Sequence, residues 1–142
     1  MGEVEPLVIK VSDKTGVFTR EMGGAKIKNF ITRQVGSKRI HMSYMEIPPR
    51  GSAHRWHTHK NVDEDSRVRV KYPEGFEQVY FIVKGRGSLQ LKTSQGVKGL
   101  DVNELDAIFF PQEVVEHQVI NRGSESLVIV AVGSPPLEVT VK

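Results

Sequence analysis

Three histidines carry the most specific chemistry in the chain. Alternate side chains of an extended strand point to opposite faces, so residues two apart share a face. His57-Thr58-His59 therefore aims two imidazoles at one point, a chelating geometry. A third imidazole, His117, follows the apolar run Ala107-Ile-Phe-Phe110, within Pro111-Gln-Glu-Val-Val-Glu-His117-Gln-Val-Ile-Asn121. Gln78 heads another apolar run, Val79-Tyr80-Phe81-Ile82-Val83, that ends at Gly85. Three imidazoles and one amide oxygen, drawn from three strands, close on one ion only if those strands curl around a common axis. Such donors suit a divalent metal ion (Zn, Mn, Fe or Ni) without choosing among them. Because all four are neutral, the ion keeps its full double charge, which favours an anionic oxygen ligand or a deprotonated water.

The elements that must position these groups read as β-structure throughout. Leu7 and Ile9 support a strand over Pro6–Val11, with a turn at Lys14-Thr15-Gly16. Val17–Met22 is open between a turn of helix and a loop, and Ala25–Gln34 reads as an edge strand. Gly36-Ser37 makes a hairpin turn into Lys38–Ile47, where Ile40, Met42 and Tyr44 share one face and His41, Ser43, Met45 and Ile47 the other. Pro48-Pro49 stops that strand, since proline donates nothing to a ladder. Further short strands are expected over Gln78–Val83, Ser88–Thr93, Val97–Val102, Ala107–Phe110, His117–Asn121, Leu127–Val132 and Leu137–Val141, punctuated by glycine and proline. Many short strands without a convincing long helix indicate an all-β sandwich or barrel.

Lys60 to Gly75 stands apart. Asn61–Ser66 is polar and reads as a loop, whereas Arg67-Val-Arg-Val-Lys-Tyr72 alternates strictly and reads as an added strand. Arg67, Arg69 and Lys71 would form one cationic face. That face is either the solvated side of an edge strand or a flap over the barrel mouth that recruits an anionic substrate.

The paired segments resemble the two motifs of the cupin superfamily. Gly51, His57, His59, Gln78 and Gly85 match the first motif, and Pro111, His117 and Asn121 the second. The likeness spans Gly36 to Pro135 and departs from the pattern at several points. Gln78 replaces the usual glutamate, the spacer after His59 is long, Leu105 and Glu113 stand where glycines are common, and one extra residue precedes His117. The resemblance implies a double-stranded β-helix, or jelly-roll barrel, as one domain over residues 1–142. N-terminal strands occupy 1–35, the barrel core 36–135, and an insertion 60–75. It also implies a metal site at His57, His59, Gln78 and His117, and a homodimer, for which outward Val79, Phe81 and Val83 are suitable. Gln78 competes with Glu77 for the fourth position; Gln78 holds the motif's offset from Gly85 and shares a face with Tyr80 and Ile82. Tyr80 is a candidate proton donor as well as a core residue, and Tyr44 and Arg69 are candidate substrate contacts. His54, three residues from His57, points the other way and reads as a surface or interface histidine.

Bulk properties narrow the partners. The 142 residues are 38% hydrophobic and 26% charged, ordinary for a globular domain, with a net charge of +3. Lysine and arginine are interspersed with acids, which excludes a nucleic-acid stripe and leaves a small-molecule ligand as the expected partner. The chain contains no cysteine, so thiolate sites and disulfides are excluded. No apolar run reaches the length of a membrane span and the N-terminus has no signal pattern, so a cytoplasmic protein is expected. Family resemblance spans dioxygenases, isomerases, epimerases, decarboxylases and lyases. Two functions follow: a metal-dependent enzyme acting on a small polar carboxylate- or sugar-derived molecule, or a non-catalytic metal- or ligand-binding module.

Overall fold

A computed structural model describes residues 3–12, 18–60, 62–64 and 68–141. Among these residues the ordered elements are twelve β-strands and one 3-10 turn at Arg33–Val35. The strands are β1 (Phe18–Met22), β2 (Ala25–Ile31), β3 (His41–Ile47), β4 (Val62–Glu64), β5 (Val68–Lys71), β6 (Glu77–Lys84), β7 (Gly87–Thr93), β8 (Gly96–Val102), β9 (Ala107–Phe110), β10 (His117–Asn121), β11 (Leu127–Ser134) and β12 (Glu138–Val141). Among the described residues no helix is long and apolar enough to cross a membrane.

Alternation decides which face each strand buries. In β6, Gln78, Tyr80 and Ile82 are buried while Glu77, Val79 and Phe81 are exposed, the period of two expected of a sheet with one solvated face. In β11, Leu127, Ile129 and Ala131 turn inward on the same rule. The main sheet runs β1-β2-β3-β11-β6-β9, and a second runs β10-β7-β8, with all pairings antiparallel. Their inner faces enclose one apolar core that includes Ile27, Met45, Ile47, Ile82, Phe110, Val119 and Ile129. Residues 51–57 run antiparallel beside β10, through Asn121 N to Gly51 O (2.9 Å) and Ala53 N to Val119 O (2.8 Å). Asn121 then pins the far end of β10, its Nδ2 donating to Ile47 O at 2.9 Å and Glu125 O at 2.7 Å. The result is the all-β jelly-roll barrel the resemblance implied.

A third sheet, β12-β5-β4, has a small core of its own in Val70, Tyr72, Phe76, Leu137 and Val139. The insertion is therefore built into the fold. β5 lies between β12 and β4, where the sequence suggested an edge or a flap, and Val62–Glu64 forms a strand where a loop was expected. Pro6–Val11 is not a strand, because nothing among the described residues pairs with it, and Phe18–Met22 is one, paired with β2. β2 consequently lies inside the sheet, between β1 and β3. Gly36 ends the 3-10 turn in the left-handed region at φ 96° instead of making a hairpin. The expected turn at Lys14-Thr15-Gly16, and Arg67, lie outside the described residues.

Candidate metal centre

The two backbones that carry His57 and His117 exchange both hydrogen bonds, His57 N to His117 O at 3.1 Å and His117 N to His57 O at 3.0 Å. Directly opposed residues of an antiparallel pair project to the same side, and the two rings are 4.4 Å apart between centroids. This register requires a bulge. Val119 pairs with Ala53, so the two steps from Val119 to His117 are matched by four from Ala53 to His57, and the surplus re-aims His57. His59 follows in a turn where an extended strand was expected, yet it reaches the same place, its ring 4.9 Å from that of His117 and 5.5 Å from that of His57. One ring nitrogen from each of the three lies within 4.8 Å of the others. This cluster can hold a metal ion.

The tautomers fit a cation. Nδ1 of His57 lies 2.8 Å from Arg55 O, and Nδ1 of His117 lies 2.8 Å from Val115 O. A carbonyl only accepts, so each Nδ1 carries the proton and each Nε2 the lone pair. His117 Nε2 is buried with no hydrogen-bond partner, a cost the chain would not carry without something to offset it. Burial, and then the neighbouring His57, push the His117 pKa down from 6.5 to about 4, which keeps the ring neutral and ready to ligate.

Aromatic rings wall the cluster. Phe110 stacks on His117 at 4.6 Å, Tyr72 stacks on His59 at 4.9 Å, and Phe76 meets His59 edge-on at 5.3 Å. A cleft of about 510 Å³, bounded by Lys60, Tyr72, Glu74, Phe76 and Gln112, opens onto His59.

No protein-family model matches the chain. No curated protein matches it by sequence. Solved structures do match in shape. A Cupin 2 conserved barrel domain protein from Salinispora arenicola superposes with a TM-score of 0.58 at 16% identity, covering 94% of this chain and 88% of that one. A predicted oxalate decarboxylase from Thermotoga maritima gives 0.57 at 18%, covering 90% and 98%, and the polyketide cyclase RemF from Streptomyces resistomycificus gives 0.58 at 20%, covering 92% and 84%. The fold is that of the cupins.

Within this fold the sequence-derived candidates separate. Gln78 is buried on the inward face of β6, opposite Phe110 of β9, whereas Glu77 is exposed on the outer face. Tyr80 is buried on the same inward face with its ring 4.7 Å from Phe110, the ring that also stacks on His117. Tyr44 is not with them. It lies on the outer face of β3, its hydroxyl donating to Glu46 Oε1 at 2.8 Å, because Ser43 and Met45 take the inward positions. Partial burial, then the Glu46 carboxylate, raise its pKa to about 12, so it holds its proton at neutral pH. Arg69 on β5 faces solvent, while Val70 and Tyr72 turn toward the interior. His54 is buried, not superficial, with its ring 4.6 Å from that of His57, and it is not one of the clustered donors.

Three site residues escaped sequence reasoning: Tyr72, Phe76 and Phe110. The alternation of Arg67–Tyr72 was a signal for Tyr72, since it sets that residue opposite to the cationic face. His41, buried on β3 with Nε2 2.9 Å from Asn29 Oδ1, adds a second inward polar pair that the two partly apolar faces of Lys38–Ile47 obscured.

Proposed function

We propose that this cupin is a metal-dependent enzyme acting on a small polar, carboxylate-bearing or sugar-derived molecule by isomerase- or lyase-type proton transfer. The observation that carries the reading is the convergence of three histidine nitrogens within 4.8 Å beside an open cleft. A divalent ion held by His57, His59 and His117, with Gln78 as fourth donor, would supply Lewis acidity to a substrate oxygen. The carbonyls of Arg55 and Val115 hold the two imidazoles in the ligating tautomer. Phe110, Tyr72 and Phe76 exclude water around the donors, which strengthens electrostatics there. Lys60, Glu74 and Glu113 on the cleft wall offer polar contacts of both signs to a substrate, and Tyr80 is the inward hydroxyl proposed for proton transfer. The neighbours described as an oxalate decarboxylase and a polyketide cyclase are compatible with such chemistry on the same scaffold, although fold alone does not assign it.

The proposal includes a homodimer formed through the outer face of the main sheet, supported by exposed Val79, Phe81, Val83 and Phe109.

Metal analysis of untagged protein, followed by assays with keto acids, uronates and diketones, tests the function. Conversion without oxygen uptake is expected. Oxygen consumption would select dioxygenase chemistry instead, and a retained ligand without turnover would make the protein a binding module. His57→Ala should abolish stoichiometric metal while the barrel stays folded by circular dichroism; unchanged metal content overturns the ligand set.

A further inference from the structure

The end of the barrel away from the histidines gathers three arginines. Arg50, Arg86 and Arg122, with Pro49, Gly123 and Ser124, line a cleft of about 640 Å³. Backbone hydrogen bonds bring their three loops together. Arg50 adjoins Gly51, whose carbonyl accepts from Asn121 N at 2.9 Å, and Arg122 N donates to Arg86 O at 3.2 Å. His117 opens β10 and Arg122 follows its last residue, so at about 3.3 Å per residue the cleft lies roughly 15 Å from the histidines.

All three arginines are exposed, and two observations single this cleft out among the charged surfaces. Among the described residues, no ion pair or side-chain hydrogen bond of Arg50, Arg86 or Arg122 is present to neutralise or anchor them. The nearby acids are engaged elsewhere, Glu125 Oε2 3.8 Å from Lys84 Nζ and Glu104 Oε1 accepting from Gly85 N at 3.2 Å. Arg50 is also held in the left-handed region at φ 67°, a conformation that an arginine adopts at a cost and glycine would adopt freely. Like charges gathered without counter-ions, one of them on a strained backbone, point to a ligand that neutralises them. Planar guanidinium forks match the oxygens of a phosphoryl group in bidentate fashion.

We propose that Arg50, Arg86 and Arg122 form a binding site for a phosphate dianion, either free or as a small phosphomonoester, separate from the metal centre. Calorimetric titration of the intact protein with inorganic phosphate, and in parallel with glycerol 3-phosphate, tests this. Saturable one-to-one binding is expected, weakened about tenfold or more by Arg86→Gln or Arg122→Gln and unchanged by Lys98→Gln at the other end of the second sheet. Arg50→Gly provides the control for folding. It relieves the left-handed backbone, so thermal stability should hold or rise while phosphate affinity falls. Tighter binding of the ester identifies a phosphorylated metabolite as the ligand, and equal or weaker binding identifies free phosphate. Non-saturable heats, equal weakening by Lys98→Gln, or displacement by equimolar chloride would overturn the proposal.

Discussion

His117 shows how one side chain links folding to the proposed chemistry. Its ring is fully buried between His57 and Phe110, and its pKa falls from 6.5 to about 4. Between those values the unfolded chain binds a proton that the folded chain refuses. Stability contributed by the neutral ring is therefore complete above pH 6.5 and drains away as pH falls toward 4. The displacement corresponds to about 3 kcal/mol. Urea unfolding of metal-free protein at pH 7 and pH 4.5 should show this loss, and His117→Gln should remove most of the difference; an unchanged pH dependence in the variant would refute the assignment. Gln78 is tested at the same scale. Its burial beside Phe110, against the exposure of Glu77, predicts that Gln78→Ala weakens metal retention about tenfold or more in a chelator competition while Glu77→Ala leaves it unaltered. Equal losses would remove Gln78 from the donor set.

At the scale of elements, the close approach between β11 and the segment after β5 governs the wall of the site. A Cβ at Gly133 would lie 2.5 Å from Phe76 Cε1 and Cζ, and Phe76 in turn meets His59. Gly133→Ala should therefore displace Phe76, cost about 1–3 kcal/mol as overpacking, and loosen metal binding from a position that faces Gln78 in register without itself donating. Phe76→Leu in the same chain should recover part of the stability, and additive losses in that double variant would show that the two positions do not touch. This coupling was not legible in the sequence, because it joins residues far apart in the chain through a third sheet. What could be read was local. The period of two in Gln78–Val83 correctly set Gln78, Tyr80 and Ile82 inward, and the spacing of the histidines anticipated their convergence. Lys38–Ile47 misled because Tyr44 and Met45 are both plausible core residues, and only pairing with β11 decides between them. The departures from the motif at Leu105 and Glu113 have a physical trace: both occupy the left-handed region, at φ 68° and 59°, which glycine would enter without strain.

The whole molecule leaves one broad surface to account for. Val79 lies between Phe109 and Val132 in register, and Val132 lies beside Met42, so an apolar row crosses four strands on the outer face of the main sheet. Phe81 and Val130 begin a second row next to it. Phe109 is 59% exposed, Phe81 40% and Val132 39%, values that place large apolar side chains in water across a continuous sheet face. A two-fold axis through such a face pairs each row with its own copy, and about 800 Å² per partner is the burial a stable association of this kind requires. Sedimentation equilibrium should accordingly report a dimer at micromolar concentration. A charge at the centre of the rows, Phe81→Lys, would be desolvated on both copies at once, which should shift the protein to monomer without altering its metal content. Because Phe81 points away from the interior while Tyr80 and Ile82 face it, a variant that stayed dimeric would show that the copies meet elsewhere, and a monomer that also lost metal would show that this face supports the histidine cluster as well as the assembly.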